Sequence, residues 1–345
     1  MPFLLQPSRV QNIDTKHSIP LHSTTIPSTS DRILRIGIIG CGEISQVAHI
    51  PNINFLSHKF QKTPGDVDVI LIANADAYHV EHGIIALKND KYCLIEKPAA
   101  TCFRDIDRLI GAEKVSKGNV FVGTMRCYAT AFIDAVEEVG GMEKIQYARV
   151  RDISGPNSTF VEQNGTFPQT FNDFTDEAGQ EGSRREADIF QQALVEEFEV
   201  PNTPQSQRML RVVGALGSHD LPAMREILGM LKSVAGAVLT LPRGVPHFDA
   251  HIEVYSANKI VRVNFDSPYV KDLPVITTIR EKIGEGGFQE RTIRKTYEDP
   301  YTLEMLDLYD CVVGGGVSKT SAADARKDVE LFQMILRAGA DRFKF

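Results

Sequence analysis

The sequence predicts a parallel α/β domain followed by an α+β domain with an open, mostly antiparallel sheet. Three observations lead there. Between residues 33 and 125, β-branched runs alternate with helix-like stretches, the pattern of strands joined by crossover helices. After residue 125, runs with period-2 alternation adjoin one another without intervening helices, as in a sheet open to solvent on one face. The chain has 345 residues, 42% apolar and 24% charged, with a formal net charge of −7, which is an ordinary globular composition at two-domain length. No apolar run approaches the ~18 residues that span a bilayer, so no membrane partner is expected. The acidic balance also argues against a nucleic-acid partner, which calls for a basic stripe. Five scattered cysteines (Cys41, Cys93, Cys102, Cys127, Cys311) without a CxxC pair predict a reducing, cytoplasmic setting, with neither a disulfide framework nor a zinc site.

Residues 1–31 are expected to be a disordered tail, rich in Pro, Ser and Thr and without a sustained period. A targeting peptide fits less well, because MPFLL is too short an apolar core and Asp14 and Asp31 are acidic. The first domain runs from 32 to 125. ILRIGIIG reads as a buried strand, and residues 42–60 as a helix-like stretch interrupted by Pro51. VDVILIANA (67–75), KYCLIEKP (91–98) and NVFVGTM (119–125) are further strands, and 79–90 and 103–118 are helices. The second domain, 126–345, carries strands over 144–153, 233–241, 247–256, 259–265, 275–283 and 288–297, with helices near 207–229, 301–313 and 321–339. Residues 155–206 form a polar insertion with one helix, over 186–198.

Three motifs carry chemistry. Strand, glycine turn and helix in Gly40-Cys41-Gly42-Glu43-Ile44-Ser45 is the context of a dinucleotide fingerprint. There the helix N-terminus meets a pyrophosphate, and Ser45 stands in for the third glycine. Glu96-Lys97-Pro98 ends a strand, where ligands of parallel sheets collect. Gly217-Ser218-His219-Asp220 offers either a general acid–base pair or a core histidine with Asp220 capping a helix that Pro222 starts. His247 and His251 share a strand face without a third metal ligand, and a solvated face is expected, so no metal site is predicted. Ser321 is a candidate cap for the last helix.

Together, GIIGCGEISQVAHIP, VDVILIANADAYHVEHGIIAL, KYCLIEKPAA and GSHDLPAMREILG resemble the Gfo/Idh/MocA oxidoreductase family over about residues 33–340. The resemblance implies a Rossmann domain, an NAD or NADP cofactor, a small hydroxylated or carbonyl substrate such as a sugar or cyclitol, and homo-oligomers formed through the C-terminal sheet. It makes Gly40, Gly42, Glu43 and Ile44 pyrophosphate-turn residues, and it sets Asn74 and His79 near the nicotinamide ribose. Glu96 and Lys97 would flank the nicotinamide and the reacting oxygen. His219 would be the general base with Asp220 as its partner, and Arg126 and Tyr128 would line the substrate pocket.

Two departures stand out. Many catalytic members carry an aspartate four residues before the histidine, where this chain has Ala215. A Rossmann half also ends its second strand on an acid ~20 residues after the turn. Asp66 and Asp68 lie near that distance but precede an apolar strand rather than ending one. Between Gln61 and Lys62 the chain is therefore expected to skip the second strand, a helix and the third strand, which leaves strand 1 as an exposed apolar edge. A skipped exon or faulty gene model explains this better than degeneration, because Lys97 and His219 are retained. The competing function is a non-catalytic binding or regulatory protein.

Overall fold

The computed structural model describes residues 32–153, 155–237 and 248–343, so the expected tail, 1–31, lies outside the described residues. Strands β1 (Leu34–Ile39), β2 (Phe60–Lys62), β3 (Val69–Ile72), β4 (Tyr92–Glu96) and β5 (Val120–Gly123) form one parallel sheet in the order β2-β1-β3-β4-β5. Helices α1 (Ile50–Phe55), α2 (His79–Lys88) and α3 (Phe103–Glu113) connect them. The strands are apolar on both sides because both sides are covered. Leu34, Ile36, Leu71, Leu94 and Phe121 enter one core, while Ile72, Cys93, Ile95, Val120 and Val122 enter another.

The edge of this sheet corrects the sequence-based expectation. Strand 1 is not bare, because β2 pairs with its first half, Leu34 to Phe60 and Ile36 to Lys62. Buried Phe60 anchors this short strand with an edge-on contact to Tyr309, ring centroids 5.7 Å apart. The break expected between Gln61 and Lys62 thus falls inside a strand. What is short is the link that follows. Residues 63–68 carry the chain from one side of β1 to the other, passing over Gly37, where an added Cβ would sit 3.0 Å from Val67 Cγ1. Thr63 N–H donates to the Ile36 carbonyl on one flank and Asp68 N–H to the Arg35 carbonyl on the other. Two strands flanking a third are about 10 Å apart, within reach of six residues.

Pro51 does not interrupt the first helix. The chain turns in π-helical form over Ser45–His49, and Pro51 then opens α1. A widened turn accommodates a proline that lacks an N–H and crowds the carbonyl four residues back. The same device precedes Pro222. Helix α7 (Pro204–Val212) runs through a π turn at Val213–Gly217 into α8 (Ser218–Leu228), which contains Pro222. Pro222 therefore does not start a helix, and Asp220 is not its cap.

The second sheet is antiparallel. Strands β6 (Tyr147–Ile153), β7 (Asp249–Tyr255), β8 (Lys259–Phe265), β9 (Ile276–Ile283) and β10 (Gly287–Ile293) lie in the order β10-β9-β8-β7-β6. Its inner residues, among them Ile252, Val261, Val263 and Ile279, share one core with β1 through α4 (Thr130–Val139) and α9 (Pro300–Gly314). That core spans the boundary expected near residue 125. Of the strand expected over 233–241, residues 233–237 adopt no strand, and 238–247, with His247, lie outside the described residues. His251 is buried, 3.2 Å from the Asp249 carboxylate.

The insertion holds α5 (Asn157–Gln163) and α6 (Asp176–Phe190), and α6 begins ten residues earlier than expected. Its first half is nearly all polar, with Glu181 bonded to Arg184 and Arg185, so it carries no apolar stripe to betray a helix. The last helix, α10 (Ala322–Phe343), takes the expected cap, with Asp324 N–H 3.3 Å from Ser321 Oγ. No helix among the described residues is long and apolar enough to cross a membrane.

Candidate functional site

The glycine turn follows β1. Gly40 has φ +95°, and a Cβ there would lie 2.5 Å from the Asn74 amide nitrogen, so the turn admits only glycine. Ser45 Oγ donates to the Gly40 carbonyl and closes the turn. Gly42 faces open space, with nothing within 4 Å of a Cβ built on it. Cys41, Gly42 and Glu43 are exposed, and Ile44 packs against a small cluster that includes Val47, Met125 and Tyr301. Gly40→Ala should weaken binding of an anionic ligand at the turn by at least tenfold and lower stability by about 1–2 kcal/mol, read by titration and by urea denaturation.

The loops after β3 and β4 are held together by one buried side chain. His79 Nε2 meets the Asn74 carbonyl at 3.0 Å and its Nδ1 meets the Pro98 carbonyl at 2.9 Å. Asn74 Nδ2 lies 3.2 Å from His82 Nδ1, and its Oδ1 is buried without a partner. Glu96 ends β4 and is buried, with Oε1 2.7 Å from Nε2 of fully buried His49. Burial alone would raise the Glu96 carboxyl. The His49 bond, and the charges of Lys97 and His79 nearby, instead hold it below the ordinary value. Lys97 leaves this buried base half-exposed, and its Nζ donates to the Ala215 carbonyl at 3.0 Å. That carbonyl belongs to the π turn before α8.

His219, in the first turn of α8, completes the group. Its Nδ1 is buried without a partner. Burial, with the Lys97 and Arg126 charges added, pushes its pKa well below the ordinary 6.5, so the ring stays neutral. Asp220 points elsewhere. It pairs with the buried Arg126 guanidinium, whose other arm lies 3.1 Å from Asp152 of β6. Burial and the neighbouring Asp152 carboxylate raise the Asp220 pKa to about 8. Arg126 also stacks over the Phe265 ring, 4.7 Å from its centroid. Tyr128 is buried, with its hydroxyl 2.7 Å from Thr320 Oγ1 and its ring stacked on Phe121. The structure thus brings Gly40, Asn74, His79, Glu96 and Lys97 to the carboxyl ends of β1, β3 and β4. Lys97 reaches the turn ahead of His219, whereas Arg126, Asp220 and Tyr128 are tied into the packing between elements.

Sequence reasoning missed two features here. His49 lies within the stretch that carried the resemblance but had no role; a lone histidine in an apolar helix was the available signal. The insertion also grips the glycine turn, with Asn157 Nδ2 bonded to Glu43 at 2.7 Å and the Gln46 amide exchanging two bonds with the backbone of Gln169. Between the insertion and the strand ends lies a cavity of about 460 Å³, lined by Asp76, Tyr78, Pro98, Ser183, Phe190 and Arg211 among others.

A dinucleotide can be tested against these residues. The phosphate and nicotinamide ends fit, with a glycine cradle that a Cβ would fill at Gly40, open space at Gly42, and Lys97 at the far end. The adenosine end does not fit. Asp68 bonds the Arg35 amide at 2.8 Å and its Nε at 3.3 Å, and Asp66 pairs with the same guanidinium, beside β1 well before the turn. Among the described residues no group of three His, Cys, Asp or Glu side chains could hold a metal.

A family model for an oxidoreductase family with an NAD-binding Rossmann fold, GFO_IDH_MocA, matches residues 51–124. The chain carries the Gfo/Idh/MocA fold. No curated protein sequence matches the chain. Solved structures with this Gfo/Idh/MocA architecture align over nearly the whole molecule. UDP-N-acetylglucosamine 3-dehydrogenase of Acidithiobacillus ferrooxidans is 14% identical, over 90% of this chain and 98% of that one, with a TM-score of 0.60. An aldose-aldose oxidoreductase of Caulobacter crescentus, complexed with glycerol, is 14% identical over 90% and 98%, with a TM-score of 0.59. Levoglucosan dehydrogenase, complexed with NADH, is 13% identical over 90% and 98%, with a TM-score of 0.60. Such identities establish the shared fold of the Gfo/Idh/MocA type, a parallel Rossmann sheet followed by an antiparallel one.

Proposed function

We propose that the chain is an NAD(P)-dependent oxidoreductase acting on a small hydroxylated or carbonyl compound, a sugar or cyclitol being the chemical class. The observation that carries this reading is the convergence of Lys97, beside the buried Glu96–His49 pair, with the turn that leads into neutral His219. The nicotinamide supplies hydride chemistry when bound. Lys97 donates a hydrogen bond to the substrate oxygen and relays its proton, and neutral His219 accepts that proton as the alcohol is oxidised. Glu96 and His49 keep the Lys97 backbone in place, through the Lys97 N–H bond to Glu96 Oε2 at 3.2 Å. The cavity beside Pro98 is lined by neither Lys97 nor His219, so the reacting oxygen is not assigned to it. The reading also includes a cytoplasmic homo-oligomer joined through the outer face of the antiparallel sheet. Five free thiols support the reducing setting, and outward residues such as Tyr147, Arg149 and Arg280 supply the face.

The test is a panel of sugars and cyclitols incubated with the full chain and NAD⁺ or NADP⁺, read as reduced-nicotinamide absorbance. Oxidation should hold steady from about pH 8 down past pH 6.5, because depression of the His219 pKa keeps the base unprotonated through that range. A second reading, a non-catalytic binding protein, is favoured by Ala215 and by the adenosine-side misfit. Nicotinamide binding without turnover on any compound would select it.

A further inference from the structure

We propose that the nicotinamide mononucleotide half is the recognised unit of the hydride carrier, and that the adenosine half makes no specific contact. This rests on the cofactor reading above and narrows it to one part of the ligand. In a complete Rossmann half, an acid at the end of the second strand binds the adenosine ribose, level with the glycine turn. Here the second strand ends at Lys62, which pairs with Ile36. Gly40 lies four residues further along β1, so the strand falls about 13 Å short of the turn. The chain then leaves that side of β1 by crossing over Gly37. The two acids of the crossing both pair with Arg35, and Asp66 also lies 3.9 Å from Lys91 Nζ. Lys62, the cation nearest that edge in sequence, bonds Asn54 at 2.6 Å. No side chain on this path reaches a ribose 2′-hydroxyl or a 2′-phosphate beside the turn.

The other half keeps its contacts. Gly42 in the turn faces open space, and the His79 ring ties the loop after β3 to the loop after β4 at the Asn74 and Pro98 carbonyls. The ligand class is therefore a nicotinamide ribotide, with or without an adenylate attached.

The experiment titrates the full chain with NADH, NADPH and reduced nicotinamide mononucleotide, following nicotinamide fluorescence. The expected result is that the three dissociation constants agree within about tenfold, and NADH and NADPH within about threefold. Asp66→Ala should leave the NADH to NADPH ratio unchanged. NADH binding about a hundredfold tighter than the mononucleotide would overturn the proposal while leaving the oxidoreductase reading intact. So would a clear preference between NADH and NADPH that Asp66→Ala removes. Binding of none of the three would overturn both.

Discussion

Lys97→Met is expected to lower turnover by about 10²- to 10⁴-fold, the usual contribution of a positioned proton-transfer group. Affinity for reduced nicotinamide should change far less, because the proposed phosphate contact is made by the glycine turn and not by Lys97. Lys97→Arg should not rescue activity, since a guanidinium does not release its proton and is broader than the ammonium that meets the Ala215 carbonyl. The pH profile gives an independent readout. The Lys97 charge is one of the causes that depress the His219 pKa, second only to burial. Its removal lets that pKa rise, so the acid limb of the residual activity moves to higher pH. An acid limb that stays in place would mean that His219 is not the group whose protonation limits the reaction. Unchanged turnover in Lys97→Met would remove the mechanism altogether.

Much of the parallel sheet was legible because its strands are short, β-branched and bounded by Gly, Pro and Asp. Val69–Ile72, Tyr92–Glu96 and Val120–Gly123 fall inside the runs marked for them. The three-residue β2 was not legible. Phe60-Gln61-Lys62 has no period to detect, and its pairing depends on buried Phe60 meeting Tyr309 more than two hundred residues away. The start of α6 was hidden for the opposite reason, since a helix held by Glu–Arg pairs shows no apolar stripe. At the site, the glycine turn and Glu96-Lys97 were visible as local motifs. Partnerships were not. His49 with Glu96, and Arg126 with Asp152 and Asp220, join residues 26 to 94 apart in sequence, and only packing brings them together. The consequence for function is that Asp220, adjacent to His219 in the chain, turns away from it on the helix.

Arg126 is the second position where a single change should have a large effect. Its side chain is 3% exposed and bridges Asp152 of β6 to Asp220 of α8, joining the antiparallel sheet to the helix that carries His219. Replacement by methionine leaves two carboxyls buried without their cation, which costs about 3–5 kcal/mol where one partner of a buried pair is lost. The cost depends on pH with a definite sign. The Asp220 pKa stands at about 8 in the folded chain, against about 4 for an exposed aspartate. The folded state therefore binds a proton that the unfolded state releases, and this group's contribution to stability falls as pH rises between those values. Arg126 lowers that pKa, so its loss raises the pKa further and extends the fall above pH 8. Urea denaturation of Arg126→Met at about pH 5.5, 7 and 8.5 should show the same deficit at the two lower values and a different one at 8.5, where Asp220 ionises in the parent and keeps its proton in the variant. Adding Asp152→Asn should recover most of the deficit, since the remaining Asp220 can keep its proton. A deficit that is the same at all three pH values would mean that the packing of Arg126 on Phe265, and not its charge, holds this junction together.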